Sequence, residues 1–160
     1  MKHYTIGVDL GGTNIAAGLV DENNHVVASI SCRTNLPRPQ QEIEAAIAGL
    51  CRDLCKQNDI DLNSQIDWVG IGTPGSVDPE SGIVEFNANF GYHNWPLRMR
   101  IEELLGCKVY IENDANAAAY GEYIAGGARG AKHAVVITLG TGIGSGIIIN
   151  GKIFAGYNSA

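Results

Sequence analysis

Three short stretches of the chain hold residues whose types and spacing suit the handling of a phosphate group. The first is Asp9-Leu10-Gly11-Gly12-Thr13-Asn14. A glycine pair can take positive φ and carries no Cβ to hold a ligand off the backbone. Successive N–H groups in such a turn make a concave anion site, and Thr13 adds a hydroxyl donor. Asp9 beside that cradle would repel a bare phosphate, and it makes chemical sense where a Mg²⁺ ion lies between the two. The same residues also fit an ordinary hairpin turn with a solvated carboxylate. The second stretch is Asn113-Asp114, two polar side chains where an apolar strand meets an alanine-rich run. Either could cap a helix, and strand C-terminal ends are where α/β folds bind ligands. The third, Gly140-Thr141-Gly142-Ile143-Gly144, follows Thr138-Leu139 and repeats the glycine-threonine pattern of the first.

The flanking sequence says what must position these residues. Tyr4, Ile6 and Val8 alternate with smaller or polar residues before the first glycine pair, and Ile15, Ala17 and Leu19 do so after it. Period-two alternation on both sides of a tight turn predicts two antiparallel strands. Residues 26–30 add a third strand to the meander. Ile43, Ile47, Leu50, Cys51, Leu54 and Cys55 form one apolar stripe at helical spacing within residues 40–57. Residues 66–72 read as a buried strand ending in Thr73-Pro74-Gly75. A turn is expected over 76–82, a short strand over 83–86, and a polar and aromatic loop carrying Asn89 over 87–92. Pro96 and Gly106 bracket a helix. Residues 108–112 form a strand, and a helix starting at Asn113 or Asp114 stops at Gly126. Strands over 133–139, 145–150 and 152–154 complete the chain, with Asn150-Gly151 as a hairpin turn.

Two motif matches fail on context. Gly70, Gly72 and Gly75 match the dinucleotide fingerprint, but a turn rather than a helix follows them. Gly146, Gly151 and Lys152 match a Walker loop, but Ile153 holds the Ser/Thr position and the spacer is an apolar strand.

Composition narrows the class. A chain of 160 residues, 45% hydrophobic and 18% charged, suits about one packed domain. A net charge of −6 argues against a nucleic-acid partner. No apolar run is long enough to span a bilayer, and Met1-Lys2-His3 leads directly into a strand, so a cytoplasmic protein is expected. Cys51 and Cys55 share the apolar helix stripe and read as buried thiols, and no disulfide framework is implied.

Four motifs together, Asp9-Leu10-Gly11-Gly12-Thr13-Asn14, Gly72-Thr73-Pro74-Gly75, Glu112-Asn113-Asp114-Ala115-Asn116 and Leu139-Gly140-Thr141-Gly142-Ile143-Gly144, resemble the ROK sugar kinases. That family includes bacterial glucokinases and has the actin–hexokinase–Hsp70 ATPase fold. The motifs follow the family's order across nearly the whole chain. The resemblance implies an α/β protein with an RNase H-like domain over residues 1–117 and the beginning of a second domain of the same type over 118–160. It implies ATP-dependent phosphorylation of a hexose, glucose at its 6-hydroxyl, with an N-acetylhexosamine or fructose as the alternative. Gly11, Gly12, Thr13 and Asn14 would cradle the ATP phosphates from one side, and Thr138, Gly140, Thr141, Gly142 and Gly144 from the other. Asp9 would hold Mg²⁺ through water. Gly75, Asn89, Asn113 and Asp114 would line the sugar site, with Asp114 accepting the proton of the attacking hydroxyl.

The expected partners are the sugar, ATP and a second copy in a homodimer, with no nucleic acid and no membrane. The family's E-x-G-H motif and cysteine-rich zinc loop have no counterpart in this sequence, so the zinc site is not carried over, nor is the adenine pocket that later helices build. The 160 residues alone are therefore expected to be inactive. A sugar-responsive repressor of the family would carry a helix-turn-helix domain ahead of the first strand, where this sequence has three residues.

Overall fold

A five-stranded sheet forms the centre of the molecule, and its parallel half sets the position of everything discussed below. The structure, a computed structural model, describes residues 3–140 and 142–156. Strands β1 (Tyr4–Leu10), β2 (Asn14–Val20) and β3 (Val26–Arg33) form the expected antiparallel meander. Strands β4 (Ile66–Thr73) and β8 (Val109–Asn113) join β1 in parallel, giving the order β3-β2-β1-β4-β8. Parallel neighbours need a crossover. Helix α1 (Gln40–Gln57) lies on the connection from β3 to β4, and α3 (Leu97–Leu105) on the connection that leads into β8.

The two faces of this sheet differ sharply. On one, Ile6, Val8, Leu10, Ile15, Leu19, Val69, Ile71, Val109 and Ile111 are buried with the α1 and α3 stripes. Trp95 is fully buried in this layer, and its indole Nε1 donates to Glu44 Oε1 at 2.8 Å. Glu44, buried on α1, also accepts from Arg100 Nε at 3.3 Å, so the carboxylate is paired rather than stranded. Burial pushes the Cys51 thiol up to about 12, with Cys55 adding to the shift, in keeping with two core thiols. The opposite face carries small residues at its centre, Gly7, Ala16, Gly18, Gly70 and Gly72, with Asp9 and Glu112 at one end and Trp68 and Tyr110 beside them.

Helix α4 (Asp114–Ala125) packs on that small-residue face, against β4 and β8. Its other side receives a second, three-stranded sheet of β9 (His133–Leu139), β10 (Ile143–Ile149) and β11 (Lys152–Ile153). The boundary expected between residues 117 and 118 thus falls within a continuous helix that both sheets share.

Two expectations need correction. The turn expected over 76–82 is confined to 79–82, where Gly82 has φ +77°, because Ser76–Asp78 form strand β5, paired with β6 (Ile83–Asn87). The loop expected over 87–92 is a turn over 88–91, and an unanticipated strand β7 (Tyr92–Trp95) follows it and pairs with β6. Val77, Val84 and Trp95 are the buried side chains that hold this small antiparallel sheet to the core. Single apolar residues in strands of three to five residues leave almost no alternation to detect. A four-residue helix, α2 (Leu62–Gln65), was also not anticipated. Among the described residues no helix is long and apolar enough to cross a membrane.

Gly146 marks the tightest contact between α4 and the second sheet. A Cβ at this position would lie 2.4 Å from Ala119 Cβ and 2.8 Å from Ala115 O. Gly146→Ala should therefore destabilise the protein by about 1–3 kcal/mol through overpacking. Gly142→Ala, where nothing lies within 4 Å, should be close to neutral. Denaturant unfolding of both variants checks the contrast.

Candidate functional site

The parallel register aligns the site. Asp9 on β1 pairs with Gly72 on β4, and Gly72 pairs with Glu112 on β8. Paired residues of parallel strands share a face, so Asp9 and Glu112 flank a glycine on the open face of the sheet. The first turn of α4 lies directly over Gly72: a Cβ there would sit 3.5 Å from Asp114 Cα and from Ala117 Cβ, ordinary contact distance. Asp9, Glu112, Asp114 and, from β9, Thr138 line one cleft of ≈ 970 Å³.

Asn113 is the N-cap of α4. Its Oδ1 accepts from the N–H of Ala115 at 3.0 Å and of Asn116 at 3.1 Å, while its Nδ2 donates to Gly75 O at 3.1 Å. Asp114 sits in the first turn, where the helix dipole favours a negative charge. Glu112, which sequence reasoning did not single out, braces this junction: its Oε1 accepts from Asn113 N at 2.9 Å and Asn116 Nδ2 at 3.2 Å.

Gly75 has φ +100°, and a Cβ there would lie 2.1 Å from Phe86 O. The fold itself thus demands glycine at a position expected to face a sugar. Asn87, read from the sequence only as the start of a loop, is fully buried. Its Nδ2 donates to Pro74 O at 2.8 Å, and its Oδ1 accepts from the N–H groups of Asn89 and Phe90. That side chain ties the Asn89 loop to the end of β4. Asn89 in turn stands over the first glycine turn, within 4.0 Å of where a Gly12 Cβ would be. Asn89, expected to take sugar, and Gly12, expected to take phosphate, are therefore neighbours, whereas the first glycine turn, Gly75, Asn89 and Asn113 are not among the residues that line the cleft of Asp9 and Asp114.

In the first glycine turn, Gly11 N–H donates to Asn14 O at 3.0 Å. The N–H groups of Gly12 and Thr13 have no protein acceptor among the described residues and are available to an anion. In the second hairpin Gly144 packs closely, a Cβ there lying 2.6 Å from Thr138 Oγ1 and 3.0 Å from Ala115 Cβ. Gly140 and Gly142 form its exposed tip, outside the cleft lining. Thr141 lies outside the described residues.

Asp9 has its pKa raised, first by partial removal from water and second by the negative charge of Asp114. Two hard carboxylates facing a cleft beside a phosphate cradle suit Mg²⁺, which is commonly held through one or two carboxylates, waters and substrate phosphates. Among the described residues no group of three or more His, Cys, Asp or Glu side chains is placed to hold a metal.

The raised pKa has a consequence for stability. A folded state that binds a proton more tightly than the unfolded state loses stability as pH rises from the ordinary carboxylate range through the raised value. Asp9→Asn removes that loss. Its thermal midpoint at pH 7 should exceed that of the parent protein, and the difference should vanish as pH falls and Asp9 protonates. Thermal melts from pH 3 to 8 read this directly; a lower midpoint for the variant at pH 7 would contradict the electrostatic account.

Comparisons with known proteins fit this geometry. The ROK family profile matches residues 5–160. A glucokinase of Thermotoga maritima is 40% identical over 156 residues, which are 97% of this chain and 47% of that protein. The xylose repressor of Bacillus subtilis is 30% identical over 157 residues, 97% of this chain and 40% of that protein. The crystal structure of a ROK family glucokinase from Streptomyces griseus, in complex with glucose and AMPPNP, superposes with a TM-score of 0.88 at 39% identity, over 98% of this chain and 48% of that one. The chain spans about half the length of the curated relatives it matches.

Proposed function

The chain belongs to the ROK family, and on that premise we propose that it is the phosphate- and sugar-binding part of an ATP-dependent hexose kinase acting on the 6-hydroxyl of glucose. The observation that carries this reading is Asp114, a carboxylate in the first turn of α4, in one cleft with Asp9. A nucleotide switch has no use for a base at that position, whereas phosphoryl transfer to an alcohol does. Asp114 accepts the hydroxyl proton as that oxygen bonds to the terminal phosphorus; the bridging phosphorus–oxygen bond breaks and ADP departs. The N–H groups of Gly12 and Thr13 orient the phosphate oxygens, and Asn89 and the Gly75 backbone orient the sugar beside them. Asp9 would hold Mg²⁺ through water, and the ion when bound would offset charge on the phosphates. Thr138 and the second glycine hairpin approach the nucleotide from the other side. A kinase of this kind works in the cytoplasm, where ATP is supplied. An N-acetylhexosamine or fructose is the alternative substrate.

A second reading, a sugar-responsive regulator, draws on the likeness to the xylose repressor. Identity to the glucokinase is higher, and a coupled assay for sugar phosphate with glucose and Mg-ATP on the complete protein separates the two. Turnover supports the kinase; sugar binding without turnover supports the regulator. In the active protein Asp114→Asn should lower kcat by ~10²–10⁴-fold while nucleotide binding persists. A variant that keeps near-parental kcat removes Asp114 from the role of base.

The outer face of the second sheet bears on assembly. Val135, Ile137, Leu139 and Ile143 are 63–82% exposed there, side by side. Soluble proteins seldom leave such a patch uncovered. These 160 residues by themselves are expected to self-associate through this face and to show no kinase turnover. Sedimentation velocity should give a dimer or larger species that Ile137→Lys shifts toward monomer, and a monomeric parent chain would refute the assignment of this face.

A further inference from the structure

Thr34 is a fully buried residue directly after β3, in a segment that no part of the proposed reaction uses. Both of its donors go to the first glycine turn. Its Oγ1 donates to Gly11 O at 2.7 Å, and its N–H donates to Thr13 O at 2.9 Å. The effect on the turn is specific. A two-residue hairpin loop between Gly11 and Asn14 normally closes with a reciprocal pair of bonds. Here Gly11 N–H donates to Asn14 O, but the return bond from Asn14 N–H to Gly11 O is not made. The Thr34 hydroxyl holds that carbonyl instead. In a trans peptide the C=O and the following N–H point in opposite directions. Turning Gly11 O toward Thr34 therefore turns Gly12 N–H away from it, and turning Thr13 O the same way does so for Asn14 N–H.

We propose that Thr34 is a positioning residue for the phosphate cradle: by engaging the Gly11 and Thr13 carbonyls it fixes two peptide planes so that the Gly12 and Asn14 N–H groups face a bound polyphosphate. The inference rests on the kinase reading of this turn and adds a residue that touches no substrate. Thr34 is in turn held from behind, its own carbonyl accepting from Arg38 Nη1 at 3.3 Å. The Arg38 carbonyl accepts from the Tyr92 hydroxyl. The cradle is thereby braced from α1's leading segment and from β7 in the small sheet.

The test compares Thr34→Val with Thr34→Ser. Valine keeps shape and backbone N–H but loses the hydroxyl donor, whereas serine keeps the donor. Calorimetric titration of the complete protein with inorganic tripolyphosphate and, separately, with glucose gives two dissociation constants for each. The valine variant should bind tripolyphosphate about tenfold more weakly, as expected for one lost orienting hydrogen bond, with glucose affinity unchanged. Serine should restore tripolyphosphate affinity to within about twofold of the parent. Equal weakening toward both ligands, or no weakening in the valine variant, overturns the role given to Thr34 and leaves the kinase reading standing. If the parent protein itself binds no tripolyphosphate, the reading of the turn as a phosphate cradle falls, and this inference with it. Should the valine variant fail to fold, serine still decides: a serine variant that folds but binds tripolyphosphate about tenfold more weakly than the parent also overturns the proposal.

Discussion

The in-register parallel pairing of β1, β4 and β8 is the constraint on which the rest of the structure depends. It places Asp9, Gly72 and Glu112 in one row on the open face. It also brings the ends of the three strands to one edge, where β1 runs into the glycine turn, β4 into Thr73-Pro74-Gly75 and β8 into the cap of α4. A shift of one residue in either pairing would turn Asp9 or Glu112 into the apolar layer with Val8 and Ile111. Burial of Ile6, Val8, Val69, Ile71, Val109 and Ile111 on the other face opposes that shift, so the core fixes the site's register from behind.

Close approach is the second requirement, and small residues meet it. Gly75 admits the Phe86 carbonyl, Gly144 admits Thr138 Oγ1, and Gly146 admits the Ala115–Ala119 ridge of α4. These contacts draw strand ends, a helix N-terminus and the small β5-β6-β7 sheet together with little side-chain bulk between them. Polar side chains then fix their relative placement. Asn113, Asn87 and Thr34 each spend their hydrogen-bonding groups on backbone atoms of neighbouring loops. In a buried setting such groups are costly unless satisfied. Among the described residues no buried side-chain nitrogen or oxygen lacks a partner.

Against this well-satisfied frame, Asp9 stands out as a group held at a cost. It is partly removed from water and faces Asp114. A protein selected for stability alone would gain by replacing it. An unfavourable charge kept in a cleft is what a site awaiting a cation and a phosphate looks like. The likeness to both a glucokinase and a repressor shows that the scaffold serves two ends among its relatives, so the fold by itself does not set the function.

The sequence by itself determined the long elements and the motif positions. Strands β1, β2, β4, β8, β9 and β10 and helices α1, α3 and α4 follow from alternation, helical stripes and the punctuation of Pro96 and Gly106, signals that local backbone geometry imposes. The same reasoning placed Asp9 at a strand end, the glycine pairs in turns and Asn113-Asp114 at a helix start, because glycine pairs and capping residues mark such positions locally. Only the tertiary structure decided the rest. Strands β5 and β7 are too short to show a period, and their pairing comes from burying Val77, Val84 and Trp95 against the core. Nothing local distinguishes Thr34, Asn87 or Glu112 from ordinary polar residues in a loop or strand end. The roles of Thr34 and Asn87 arise from backbone carbonyls 23 and 13 residues away in the chain, which folding alone brings within hydrogen-bonding distance, and that of Glu112 from the Asn116 side-chain amide, which the turn from β8 into α4 brings within reach.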